Sequence, residues 1–127
     1  MSAYQRRKGA AGEREFINDV LKPAGYRTAA RQLGQARDGG GDVIVDGVLY
    51  EVKRRAKLAV REFMDQAEKA AYDAEKSRPL MPVVVMREDG RTDWLVMLRA
   101  DDYFRLLRST KQMGHSLPNT TNLKGLL

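Results

Sequence analysis

Asp42, Glu51 and Lys53 are the residues of this chain whose types and spacing suit chemistry. Val43-Ile44-Val45 and Val48-Leu49-Tyr50 are β-formers on either side of Asp46-Gly47, a dipeptide that favours a two-residue type I′ turn. Such a turn fixes the register, so Val45 faces Val48, Ile44 faces Leu49, Val43 faces Tyr50 and Asp42 faces Glu51. Side chains alternate along a strand with a period of two, so Lys53 shares the face of Asp42 and Glu51. Two carboxylates directly opposed across a strand pair repel. A divalent cation between them turns that repulsion into a site, because carboxylate oxygens suit hard ions such as Mg²⁺. A fixed lysine beside the ion completes a set suited to hydrolysing a phosphodiester: the ion activates water and the ammonium orients it or steadies the developing charge. The plainer alternative is a surface hairpin with a Glu–Lys pair on its wet side.

The elements around the hairpin must position this set. Residues 9–22 read as an amphipathic helix with Phe16, Ile17, Val20 and Leu21 at helical spacing, stopped by Pro23 and Gly25. Glu13 falls on its apolar face, whereas Glu15 and Asp19 can be solvated. A buried carboxylate needs a partner. Glu13 is accordingly paired with an arginine at the core rim, favoured by the helix N-terminus, or a third acid over the hairpin. Residues 1–8 read as a flexible basic arm carrying Arg6, Arg7 and Lys8. Residues 26–31 read as a first strand. Residues 32–41 form a polar, glycine-rich loop opening onto Asp42, suited to close approach of a phosphate. The loop lacks the lysine and spacing of a P-loop, so no nucleotide cofactor is expected.

Beyond the hairpin, Arg54, Arg55, Lys57 and Arg61 form a basic run. Residues 60–77 read as a second helix, packing through Val60, Phe63, Met64, Ala67, Ala70, Ala71 and Ala74. Gln66 and Lys69 border the site or, in the plainer reading, belong to a solvated face. Residues 81–86 are a continuous apolar run, as in a strand covered on both faces. Residues 94–98 are a further strand, and Asp101-Asp102 cap a helix over 103–109. The fold class is α/β, a central mixed sheet flanked by helices in the order αβββαββα. Residues 1–109 form one domain, and 110–127 are an irregular or partner-contacting tail.

Composition narrows the class. The 127 residues are 43% hydrophobic and 31% charged, enough for one core and too few for two. There is no cysteine, which excludes disulfides and thiolate metal sites and leads to the expectation of a cytoplasmic protein. The basic N-terminus is followed by no apolar run, unlike a signal peptide, and nothing approaches a membrane span. The net charge is +6. Residues 1–61 hold 13 Lys/Arg against 7 Asp/Glu, and residues 62–127 hold 10 of each. All the surplus therefore lies in the half containing the hairpin. An acidic cluster in a basic field suits a polyanionic partner held by its phosphates. Arg6, Arg7, Lys8, Arg14, Arg31, Arg37, Arg54, Arg55, Lys57 and Arg61 are the expected contacts. The lone His115 lies in the tail, so a histidine-built nuclease site is excluded.

Asp42, followed by Glu51-Val52-Lys53 on the next strand, resembles the PD-(D/E)XK nuclease superfamily. Lys8-Gly9-Ala10-Ala11-Gly12-Glu13-Arg14-Glu15-Phe16 is similar to the start of the archaeal-type Holliday junction resolvases, which also occur in phages. The resemblance covers roughly residues 8–87. It implies a restriction-endonuclease-like core and an active site of Glu13, Asp42, Glu51 and Lys53. It further implies Mg²⁺ dependence, with Mn²⁺ substituting, a homodimer, and paired nicks in four-way DNA junctions. The metal would be held by Asp42, Glu51, the carbonyl of Val52 and Glu13, directly or through water. Gly41 stands where the superfamily's name has proline, and the glycine-rich loop is also similar to restriction-type relatives. A restriction-like or repair nuclease acting on duplex or flap DNA is therefore the alternative activity. A non-catalytic DNA-binding module is the alternative of another class.

Overall fold

The computed structural model describes residues 2–30, 41–112 and 114, with Gly41, Asp42 and Gln112 described in their backbone alone. Helix α1 spans Ala3–Phe16 and runs into a π-helical turn, Ile17–Leu21. The strands are β1, Gly41–Val45; β2, Val48–Arg55; β3, Met81–Glu88; and β4, Leu95–Met97. Helix α2, Val60–Ala74, lies between β2 and β3, and α3, Ala100–Gln112, follows β4. The sheet order is β1-β2-β3-β4. β1–β2 and β3–β4 are antiparallel and β2–β3 is parallel, so the chain is an α/β protein on a mixed sheet.

Two expectations need correction. The chain enters α1 at Ala3, so Arg6, Arg7 and Lys8 belong to a helix instead of a loose arm. Ser2 caps it: its side chain accepts from the Gln5 amide, and the Gln5 side chain accepts from the Ser2 amide, satisfying two otherwise orphaned donors. The expected first strand is also absent, because residues 26–30 are turn and irregular backbone and Arg31 lies outside the described residues. Gly25, at φ 109°, lets the chain fold back after α1. The Tyr26 amide then donates to the Leu21 carbonyl, and the Ala29 amide to that of Tyr26. Those bonds use the backbone that a strand would need. Among the described residues the order is αββαββα.

Alternation along the strands sorts the core into two layers. On one face Phe16, Ile17 and Leu21 pack on Val43, Val52, Val83 and Val85. Phe16 sits between Tyr50 and Trp94, with ring centroids 5.5 Å from each. On the other face Phe63, Met64 and Ala67 cover Val84 and Met86, while Ala70 and Ala71 lie on Leu49. The alanines bring the α2 backbone close to β2. Among the described residues no helix is long and apolar enough to cross a membrane. Helix α3 takes in Thr110, Lys111 and Gln112 of the expected tail; Met113 and residues 115–127, with His115, lie outside the described residues.

Candidate active site

The β1–β2 turn is type I′ in its backbone, with Asp46 at φ 50° and Gly47 at φ 79°. The register is the expected one, and Asp42 stands directly opposite Glu51. Gly41 pairs with Val52, which on its other side pairs with Val85 of β3. The Val52 side chain is buried in the α1 layer, leaving only its peptide available to the opposite side.

Glu51 and Lys53 share the β2 face covered by α2. They are 3% and 1% exposed, so both charges are withdrawn from water. Burying ions is costly unless they are paired and hydrogen-bonded. Lys53 Nζ meets that demand three ways: it lies 3.3 Å from Glu51 Oε1, donates to Gln66 Oε1 at 2.5 Å, and sits 5.4 Å from the centre of the Phe63 ring. Gln66 and Phe63 are one helical turn apart, so one stripe of α2 grips the ammonium. Gln66 is exposed on α2, as the solvated-face reading has it, and by this bond it also borders the pair. Its signal was its position three residues after Phe63, at the edge of the packing stripe.

Glu13 is 6% exposed, as its helical phase requires. Helix α1 lies on the face of Val52 and Arg54: a Cβ built on Gly12 would be 3.3 Å from Arg54 Cβ and 3.9 Å from Val52 Cγ1. The backbone of α1 and the Glu51–Lys53 pair therefore lie on opposite faces of the sheet. Glu13's neighbour Glu15 accepts from Arg54 Nη1 at 3.0 Å and Arg87 Nη2 at 2.6 Å. Glu15 is half-buried between them and is not the solvated residue its helical phase suggested. Among the described residues no group of three or more His, Cys, Asp or Glu side chains converges. The side chain of Asp42, a member of the expected set, lies outside the description.

The expected DNA contacts divide into two groups. Arg6, Arg7, Arg14, Lys57 and Arg61 are exposed. Lys8 pairs with Asp89 Oδ2 at 2.5 Å, and Arg54 lies 4.0 Å from Asp89 Oδ1 as well as bonding Glu15. Arg55 is half-buried and donates to the Arg54 carbonyl at 3.1 Å. Burial pushes its guanidinium below the usual value, and the fields of Glu51 and Asp89 oppose that shift. Lys8, Arg54 and Arg55 are therefore committed in part to the fold. Arg31 and Arg37 lie outside the described residues. Tyr4, Arg7, Lys8, Arg54, Asp89 and Gly90 line an open depression of about 390 Å³.

The chain is thus defined as an α/β protein whose mixed sheet carries a buried acid–lysine pair opposite a second acid. Comparisons with protein families, with curated proteins and with solved structures find no match to it.

Proposed function

We propose that this chain is a Mg²⁺-dependent endodeoxyribonuclease with a restriction-endonuclease-like core, and that it resolves four-way DNA junctions by paired phosphodiester hydrolysis. One observation carries the reading: Asp42 is paired opposite Glu51, and Lys53 lies buried on the same face of the same strand. A fold gains no stability from two opposed acids and a buried ammonium beside them. A hydrolytic site needs all three.

The donors fit a hard cation. They are oxygen groups, the Asp42 and Glu51 carboxylates and the Val52 carbonyl, and two acids with one ammonium carry a negative surplus for a cation to balance. When bound there, Mg²⁺ or Mn²⁺ supplies Lewis acidity and a more acidic water. Asp42 and Glu51 are the residues that hold it. Glu13 contributes from the α1 side, directly or through water. Lys53 Nζ, fixed by Gln66 and Phe63, presents its charge to the attacking water or to the phosphoryl oxygens. Exposed Arg6, Arg7, Arg14, Lys57 and Arg61 hold flanking phosphates, so recognition follows backbone shape before base sequence.

The test is a cleavage assay on labelled four-way junction and matching linear duplex, with Mg²⁺ and then Mn²⁺, for wild type and Asp42→Asn. Symmetric nicks in the junction alone, with Asp42→Asn binding but not cutting, are expected. Equal cutting of duplex would keep the hydrolysis and remove the junction assignment. Folded wild type that binds DNA and cuts neither substrate would leave a binding module.

A further inference from the structure

The open depression beside Arg54 lies on the α1 side of the sheet, away from Glu51 and Lys53. Its cations come from two elements: Arg7 and Lys8 from α1, and Arg54 from β2. One acid sits among them. Asp89 Oδ2 accepts from Lys8 Nζ at 2.5 Å, and Oδ1 lies 4.0 Å from Arg54 Nε. The turn after β3 puts the acid there. The Arg91 amide donates to the Glu88 carbonyl, and Gly90 takes φ 85°, the positive value that a type II turn needs at its third residue. The Asp89 amide donates to the Arg55 carbonyl at 2.8 Å. The backbone of Asp89 is thus tied down, while its exposed side chain can swing out to water.

A carboxylate fills this place incompletely. Arg54 Nε is buried and has no hydrogen-bond partner among the described residues. A phosphate is larger and carries more acceptor oxygens, so it can bond an ammonium and a guanidinium together where Asp89 bonds the ammonium alone. The Lys8 hydrogen bond, with the fields of Lys8, Arg54 and Arg87, holds the Asp89 carboxyl below its ordinary value, so the place favours an anion. Arg7 lines the same depression, is exposed, and leaves the lining net positive with Asp89 in place.

Tyr4 narrows the kind of anion. It stands one helical turn before Lys8, lines the same depression and is 65% exposed. It belongs to none of the three apolar clusters of the core. A free phosphate gives its ring nothing to stack on, and a duplex keeps its bases inside. An unpaired nucleotide offers both a phosphate and an open base face, and cations beside an exposed aromatic are how single strands are held. We propose that this depression is a second nucleic-acid subsite, in which an unpaired nucleotide sets its phosphate between Lys8 and Arg54 and its base on Tyr4, and that Asp89 fills the phosphate position until the nucleotide displaces it. The inference rests on the nuclease reading only in taking nucleic acid as the partner.

Fluorescence anisotropy on the full chain tests it, with labelled single-stranded oligonucleotide and the matching linear duplex, in chelator so that nothing is cut. Asp89→Asn is expected to bind the single strand about fivefold tighter than wild type, because the competing acid is gone. Asp73→Asn removes an acid from the comparable exposed pair with Lys69 and should gain little. Adding Lys8→Gln to Asp89→Asn should abolish the gain. Tyr4→Ser should weaken the single strand about tenfold and the duplex little. Equal gains from Asp89→Asn and Asp73→Asn overturn the proposal. So does an equal loss on both DNAs in Tyr4→Ser, or inorganic phosphate that competes as well as unlabelled oligonucleotide. Junction cleavage in Mg²⁺, run beside the binding, separates the two readings. Cleavage without a gain in Asp89→Asn removes the subsite and keeps the nuclease, and a gain in a protein that cuts nothing does the reverse.

Discussion

The Lys53 ammonium donates to Gln66 Oε1 at 2.5 Å, and this bond joins the central strand of the site to the helix that covers it. Lysine has four rotatable side-chain bonds, and a general electrostatic role requires that its charge stand still. Gln66 and the Phe63 ring supply that restraint. Gln66→Ala is expected to lower the cleavage rate with little change in junction affinity. A hydrogen bond to a charged group is worth about 1.5–3 kcal/mol, or roughly a ten- to hundredfold rate loss. Gln66→Glu keeps the acceptor and should retain more activity than alanine. Single-turnover rates, measured beside binding by gel shift, separate the two effects.

Breaking the Glu51–Lys53 pair on one side is expected to destabilise the metal-free protein strongly, although the intact pair adds little net stability. Lys53→Met leaves a carboxylate buried opposite another acid, and breaking such a pair costs about 3–5 kcal/mol. Glu51→Gln with Lys53→Met removes both charges and should recover most of that loss. Urea unfolding in chelator, run as a double-mutant cycle, gives the coupling. In the same experiment Mg²⁺ should raise the midpoint of wild type and leave that of Asp42→Asn unmoved, because a ligand stabilises only the state that binds it.

What was legible in the chain was local. Asp46-Gly47 demands positive φ at both positions, and both are found positive, which fixed the Asp42–Glu51 register without any tertiary information. The burial of Glu13 followed from helical phase alone. Ser2 and Gln5 spelled a capping box, and a reading that took the basic residues after it for an arm overlooked that signal. The strand expected over 26–31 failed for a different reason. β-propensity describes fit to a half-buried surface, and the bond from the Tyr26 amide to Leu21 had already bent that segment back. The pairing of Glu15 with Arg54 and Arg87 joins residues 39 and 72 positions apart, which no local pattern reports.

Asp89 provides a pH-dependent contribution. The hydrogen bond from Lys8 holds its carboxyl below the ordinary value of 3.8, and the fields of Lys8, Arg54 and Arg87 act in the same direction. A carboxyl depressed in the folded state stabilises above its unfolded value, and the contribution is lost as pH falls through the folded one. The stability difference between wild type and Asp89→Asn should therefore be constant near neutrality and shrink at acid pH. Because the pair is exposed, the difference should be small and should fade with salt. Thermal melts over a pH series at low and high ionic strength measure it. Lys8→Ala should bring the Asp89 carboxyl back toward its ordinary value in an NMR titration.

Gly12 sets how closely α1 approaches the sheet. A glycine inside a helix costs about 1 kcal/mol against alanine, so its presence calls for a reason. The reason is the 3.3 Å that would separate a Cβ at this position from Arg54 Cβ. Arg54 Cβ is the root of its side chain on β2, a strand paired on both sides, and has little room to yield. Gly12→Ala exchanges helix propensity against that tight contact and should change stability little. Gly12→Leu cannot be absorbed: overpacking of this kind costs about 1–3 kcal/mol. It should also lift α1 from β2, displacing Glu13 from the β1–β2 pair and Glu15 from Arg54. A fall in melting temperature together with a loss of cleavage beyond that of Gly12→Ala is the expected result. Unchanged activity in a destabilised Gly12→Leu would show that the α1 carboxylate has no part in the reaction.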